Sequence, residues 1–324
     1  MSPMLAGDQK LDSVPMQEPP RHFADDLVAR LRQLGHPLCV GFDPFLERLP
    51  PLFRRGSMQP SDPQTAAAVE AFFDAVLDRL EGRVAVVKPQ IAFFEALGSG
   101  GIAVLERLSA KARGLGLCVL LDAKRGDIGS TAEGYARAYL APGAPLEVDA
   151  ITLNPYLGIE TLAPFVQKAQ DHGRGLFVLT RTSNPGSADF QDRLLGTSET
   201  PLFEAVAASL AADAAALCGS QTGWSSLGVV VGATQPESAQ RVREALPNSL
   251  FLVPGYGSQG AGARESLRGF RPGPAGLEGG IVNSSRAILY PDAAFTKETK
   301  AWEAAFDTAL DRAITELGEA VAAG

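Results

Sequence analysis

The sequence predicts an α/β fold, a (β/α)8 TIM barrel, on three observations. Eight short apolar runs recur along 324 residues, at intervals of roughly 25 to 50 positions. Each run is of strand length and continuously apolar, the pattern of a parallel sheet covered on both faces. The stretches between them carry apolar residues at three- and four-residue spacing, as amphipathic helices do. Eight strand–helix units in one chain favour a closed barrel over an open doubly wound sheet, the competing arrangement.

In chain order the runs fall at 38–43, 84–88, 117–122, 149–154, 175–180, 227–232, 250–254 and 280–284, rich in Val, Ile and Leu. Helical spacing is read over 65–80, 131–140, 159–170, 202–217 and 236–246, and a last helix is expected from 299 to about 321. Arg271-Pro272-Gly273-Pro274-Ala275-Gly276 lies between the seventh and eighth runs and reads as a loop within the barrel. Residues 181–199 are long for a strand-to-helix connection, which suggests an active-site loop or an insertion. Residues 1–22 are expected to form a flexible N-terminal tail, and 23–324 a single catalytic domain.

Composition narrows the function. With 45% hydrophobic and 20% charged residues the chain is ordinary for a globular protein, and a formal charge of −8 without any basic run argues against a nucleic-acid partner. The longest apolar runs are too short to span a membrane, and the N-terminus lacks the apolar core of a signal peptide. Cys39, Cys118 and Cys218 are odd in number and show no metal-ligand spacing, so buried reduced thiols and a cytoplasmic location are expected.

In a barrel of this kind catalytic groups sit at the C-terminal ends of the strands. Here those ends are polar: Asp43, Lys88, Asp122 followed by Lys124 and Asp127, Asn154, and Thr180 followed by Ser183. Any one could be a turn residue, a snorkelling lysine or a helix cap, but together they mark one rim. In Asp122-Ala123-Lys124-Arg125-Gly126-Asp127 two carboxylates flank an ammonium, and Lys88 can complete an alternating array. Nearby carboxylates keep Lys124 protonated, which suits a proton donor to a carbanion. A substrate carboxylate placed ~4 Å from Asp122 would feel a repulsion of about 4 kcal/mol at an effective dielectric near 20, relieved by loss of carbon dioxide. That supplies only a few decades of rate, so most of the acceleration must come from stabilising the carbanion with Lys124.

The far side of the rim reads as a phosphate cradle. Pro254-Gly255-Tyr256-Gly257-Ser258-Gln259-Gly260 follows the seventh run and Asn283-Ser284-Ser285-Arg286 the eighth. Glycines expose backbone N–H donors, a following helical turn adds its positive end, and Arg286 can fork onto two oxygens.

With these residues in view, the sequence resembles the orotidine 5′-monophosphate decarboxylase family, in its longer bacterial branch. The resemblance rests on Phe42-Asp43, Lys88-Pro89, the 121–128 segment around Lys124, Thr182-Ser183-Asn184-Pro185-Gly186, the glycine-rich 254–260 segment and Arg286, in that order along the chain. It implies decarboxylation of orotidine 5′-monophosphate to uridine 5′-monophosphate without cofactor or metal. By the same resemblance, Lys124 would protonate C6 with Asp122 beside the leaving group, and Lys88 would bridge the charges to the ribose. Asp127, helped by Thr131, would reach the ribose at the neighbouring subunit's site, which makes a homodimer the minimal active unit. Asp43 would hold a ribose hydroxyl and Ser183 the pyrimidine amide edge. Pro254 would line the site, and Gln259 and Arg286 would hold the phosphate, the loop carrying Gln259 closing over the ligand. The N-terminal tail, the region after Ser183 and residues 261–279 are longer than the motifs require, and no role is carried onto Asn154 or Arg181.

Three other functions compete. A metal-dependent sugar-phosphate decarboxylase of the same superfamily would need a carboxylate where Lys88 stands. A Schiff-base aldolase would need a desolvated lysine of lowered pKa, not one among carboxylates. A non-catalytic nucleotide-binding protein would have no use for Lys124.

Overall fold

Leu38–Phe42 (β1), Val86–Pro89 (β2), Cys118–Arg125 (β3), Ala150–Leu153 (β4), Gly175–Arg181 (β5), Ser225–Val231 (β6) and Ser249–Val253 (β7) occupy seven of the eight expected positions. A short hairpin, Arg271–Gly273 (β8) and Gly276–Glu278 (β9), precedes the eighth, Gly280–Ser284 (β10). In this computed structural model, which describes residues 21–324 except 198, 258 and 259, the eight parallel strands close in the order β1-β10-β7-β6-β5-β4-β3-β2. The (β/α)8 barrel read from the sequence is therefore the fold.

Strand side chains alternate between two cores, as a pleated backbone requires. Leu38, Val40 and Phe42 of β1 pack outward against the helices, in one apolar layer with Val119, Leu121, Ile151 and Val282. Cys39, Val86, Leu120, Ala150, Phe177, Val230 and Ile281 point inward and form a second core. The first helix, Phe23–Leu34 (α1), supplies Phe23, Ala24, Leu27 and Val28 to that inner core and closes the barrel floor. Two residues further along each strand the inward positions become Gly41, Lys88, Asp122, Thr152 and Asn283, at the C-terminal end. The same periodicity that fills the barrel thus aims its polar residues at the mouth.

The helical layer comprises Pro63–Leu80 (α2), Ile91–Glu95 (α3), Gly98–Gly114 (α4), Gly129–Leu140 (α5), Ala163–His172 (α6), Leu202–Ser209 (α7), Ala211–Ala216 (α8), Pro236–Ala245 (α9), Ala263–Ser266 (α10), Arg286–Leu289 (α11) and Thr299–Ala322 (α12). The expected helix over 159–170 is a 3-10 turn, Ile159–Leu162, running into α6, and that over 202–217 breaks at Leu210 into α7 and α8. Helices α1, α3 and α4 were not expected. Glycines at 98, 100 and 101 weaken the helical signal of α4, but a Cβ at Gly101 would collide with the Phe94 carbonyl, so the close turn between α3 and α4 requires glycine there.

The proline- and glycine-rich stretch from 271 is the β8–β9 hairpin, with Arg271 opposite Glu278 and Gly273 opposite Gly276, and not an irregular loop. Proline is tolerated because this ribbon has free edges. Glu278 fastens it to α1: Arg32 Nε and Nη2 donate to its two oxygens at 2.7 and 2.8 Å, and Trp224 Nε1 donates to Oε1 at 2.9 Å.

Most of the expected tail, residues 1–20, lies outside the described residues. Its last two residues are bound: Arg21 Nη2 donates to Asp149 Oδ1 at 2.8 Å, and His22 Nδ1 accepts from Asp25 N at the start of α1. All three cysteines are free thiols, but only Cys39 is fully buried; Cys118 and Cys218 are half-buried, against the expectation for all three. Among the described residues no helix is long and apolar enough to cross a membrane.

Candidate active site

The site is built on an irregularity in β3. Pairing with β4 slips between Leu121 and Arg125, and Lys124 takes a left-handed conformation with φ 48°. Met58 is the only other described non-glycine residue with positive φ, a conformation that costs on the order of 1 to 3 kcal/mol. The turn is held from β4. Thr152 Oγ1 accepts hydrogen bonds from the backbone N–H groups of Ala123 and Lys124, each at 2.9 Å, and donates to Asp122 Oδ1 at 3.1 Å.

Asp122 then lies between two ammonium groups. Lys88 Nζ donates to Oδ2 at 2.7 Å and Lys124 Nζ to Oδ1 at 2.5 Å. Lys88 and Asp122 are buried, whereas the Lys124 side chain is 46% exposed and faces the open mouth. Burial opposes the charge on Asp122, but Lys88 and Lys124 outweigh it and hold the carboxyl well below the usual range. Burial likewise opposes the Lys88 ammonium, but Asp122, and after it Asp43, raise its pKa above the ordinary lysine value. The array therefore reads plus, minus, plus, with Asp43 as a second negative charge near Lys88 and Lys124 as the ammonium open to a ligand.

Above the array is a cavity of about 470 Å³, bordered by Lys88, Asp122, Lys124, Thr152, Ser183 and Pro254. Leu179, Val230 and Leu252 supply an apolar wall. That size and lining suit one small ligand with a flat apolar face and a few polar edges.

The other expected site residues are dispersed around this centre. Asp43 Oδ1 is buried and has no hydrogen-bond partner among the described residues, so a donor from a ligand would satisfy it. The Ser183 backbone is pressed against Gly232, just past the end of β6, where a Cβ would come within 2.7 Å of Ser183 Cβ. Arg286 is exposed at the start of α11 and, with Gly257 and Ser284, borders a larger groove of about 920 Å³. The base of the glycine-rich loop is closed by a bridge between Tyr256 and Ala261, with Gly257 N donating to Ala261 O at 3.0 Å. Gln259 itself lies outside the described residues.

Asp127 does not join the cage expected around Lys124 within this chain. Its Oδ1 accepts from the neighbouring Ile128 N at 2.8 Å, and it forms no ion pair with Lys124. Thr131 is exposed on α5. Close by in sequence Ile128 is 61% exposed, and on the loop after β4 Tyr156 is 83% exposed. Asn154 serves a turn, its Oδ1 accepting from Tyr156 N at 3.1 Å. Thr152 went unnoticed in the sequence, although it stands two positions before Asn154 and so on the same inward face.

Comparison with known proteins is consistent in direction. A family model described as "Orotidine 5'-phosphate decarboxylase / HUMPS family" matches residues 36–294. A Rhodopirellula baltica protein named orotidine 5′-phosphate decarboxylase is 40% identical over 272 residues, covering 83% of this chain and 88% of its own. One of the same name from Roseiflexus is 42% identical over 270 residues, covering 83% and 89%. A solved Streptomyces avermitilis structure, provisionally described as an orotidine 5′-phosphate decarboxylase, superposes with a TM-score of 0.77 at 35% identity, covering 96% of this chain and all of that one.

Proposed function

The chain belongs to the orotidine 5′-phosphate decarboxylase / HUMPS family, and from that premise we propose how its residues carry out the reaction. It is a carboxy-lyase that converts orotidine 5′-monophosphate to uridine 5′-monophosphate, the last step of de novo pyrimidine nucleotide synthesis. The observation that carries the mechanism is Asp122 held between Lys88 and Lys124.

The substrate carboxylate on C6 sits toward Asp122, where two like charges repel and nearby ammonium groups favour charge leaving the carboxylate for the ring. The C6–carboxyl bond breaks, carbon dioxide departs, and the bonding pair stays on C6. The Lys124 ammonium stabilises that carbanion and gives it a proton, forming the C6–H bond; the neutral amine regains its proton from water. Lys88 is the fixed counter-charge that keeps Asp122 ionised. Asp43 accepts from a ribose hydroxyl, Ser183 meets the amide edge of the pyrimidine, Pro254 lines the cavity, and Gln259 and Arg286 bind the phosphate. No cofactor or metal enters this scheme.

A homodimer with sites at the subunit interface accounts for Asp127 and Thr131. Neither forms a hydrogen bond or ion pair with Lys124 in its own chain, both flank the exposed Ile128, and an apolar surface next to an ionisable group suits contact with a second copy. A cytoplasmic location agrees with three unpaired thiols.

The metal-dependent sugar-phosphate decarboxylase is disfavoured because Lys88 Nζ already donates to the Asp122 oxygen that a cation would need. Purified protein treated with a chelator is expected to consume orotidine 5′-monophosphate, followed by loss of its ultraviolet absorbance. Activity that appears only on adding a divalent cation would favour the sugar-phosphate enzyme, and no absorbance change under either condition would remove the reading.

A further inference from the structure

Arg181, the last residue of β5, is 3% exposed, and its guanidinium donates to a single loop. Nη1 donates to Ser187 Oγ at 2.5 Å and to Gln191 Oε1 at 3.3 Å, and Nη2 donates to Asp192 Oδ2 at 3.0 Å. The fork also lies over the Phe203 ring of α7, 5.9 Å from its centroid. Gln191 passes the constraint back along the loop. Its Oε1 accepts from Thr182 N at 2.9 Å, and its Nε2 donates to Thr182 Oγ1 at 2.8 Å. The next residue, Ser183, is backed by Gly232, where any side chain would meet its backbone N at 2.9 Å.

The loop is thus clamped at once from the end of β5 and from Gly232, which follows β6. What it presents to the cavity over Lys124 includes Ser183, Asn184 and Phe190. Phe190 is 68% exposed, a large apolar ring left open at the mouth of a ligand cavity. A buried arginine that spends both Nη groups on one loop and leaves Nε unpaired is a costly way to secure an ordinary surface turn, because the same charge would be better solvated outside. The cost is intelligible where the loop must keep one shape.

We propose that Arg181 is a positioning residue for recognition of the base: it fixes residues 182–192 so that Ser183 and the Phe190 ring meet the pyrimidine end of the nucleotide. This rests on the reading of orotidine 5′-monophosphate as substrate. Arg181 touches no reacting atom and acts through the loop alone. Ribose and phosphate are held elsewhere on the rim, so a disturbed loop weakens binding of ligands that carry a base and spares those that lack one.

The test is Arg181→Lys, which keeps the charge but lacks the planar two-nitrogen fork that serves Ser187, Gln191 and Asp192 together. Calorimetric titration of wild type and variant with uridine 5′-monophosphate and with ribose 5-phosphate separates the two ends of the site. The variant is expected to bind the nucleotide about tenfold more weakly and ribose 5-phosphate within about twofold of wild type. Equal weakening of both ligands, or of neither, would overturn the proposal. Gln191→Ala probes the same clamp from its less buried side and is expected to give the same split, so a folding failure of the lysine variant does not shield the idea. Wild-type protein that does not decarboxylate orotidine 5′-monophosphate would overturn the substrate reading instead, whereas turnover combined with parallel losses overturns only the role of Arg181.

Discussion

One hydroxyl, that of Thr152, governs the Asp122 carboxylate: it donates to Oδ1 at 3.1 Å while receiving both N–H groups of the strained turn that follows. The conformation that bends the Lys124 side chain back onto Asp122 is therefore held by a neighbouring strand.

Thr152→Val keeps the shape of the side chain and removes that hydroxyl, leaving one buried and one half-buried N–H group without this partner. Unfolding by denaturant should show a loss of about 2 kcal/mol. Steady-state kinetics should show kcat reduced about ten- to a hundredfold with KM nearly unchanged, since the damage falls on lysine placement. A variant with wild-type kcat would show that the turn holds itself.

Lys124→Ala should reduce kcat by at least about a thousandfold, because proton donor and carbanion partner disappear together. Binding of uridine 5′-monophosphate should survive, as titration calorimetry can establish. Retention of more than a tenth of wild-type turnover would move the proton donor to another group.

Asp122→Asn should destabilise the protein by about 3 to 5 kcal/mol at neutral pH, as it strands the buried Lys88 charge. The stabilising effect of the pair has a defined pH window. Asp122 has a depressed folded pKa, so its contribution is complete above about pH 4 and is lost as pH falls through the folded value. Lys88 has a raised folded pKa, so its contribution is complete below about pH 10 and is lost as pH rises through the folded value. The pair's contribution to wild type is therefore flat from about pH 5 to 9, whereas burial without Asp122 eases proton loss from Lys88 in the variant, so the stability difference should narrow as pH rises toward about 9 in denaturant titrations; a difference that widens would contradict the charge assignment.

Mixed dimers test the shared site. When Lys124→Ala and Asp127→Ala subunits are unfolded and refolded together, half of the dimers are mixed and each mixed dimer has one intact site. Activity should climb to about a quarter of wild type, although each parent is nearly inactive. A mixture no more active than its parents would confine Asp127 to its own subunit.

The barrel strands were legible because a strand buried on both faces leaves an unbroken, β-branched apolar run such as Val229-Val230-Val231. Lys88, Asp122 and Lys124 were legible because they end such runs. Helix α4 was hidden by glycines, of which Gly101 is required by the close approach of Phe94, and the β8–β9 ribbon by prolines that only a two-stranded edge accepts. Thr152 was hidden because its partners are backbone groups of another strand. For Asp127, adjacency to Lys124 in sequence suggested a contact that the turn at φ 48° does not make.

Ring closure pairs Leu38 with Val282, so the first strand waits for nearly the whole polypeptide before its outer edge is covered. Until β10 docks, that edge offers unpaired backbone groups. Glu278, gripped by Arg32 just before that last strand, draws the late-made segment to the first helix. Closure of the ring thus depends on contacts between segments about 245 residues apart in the sequence.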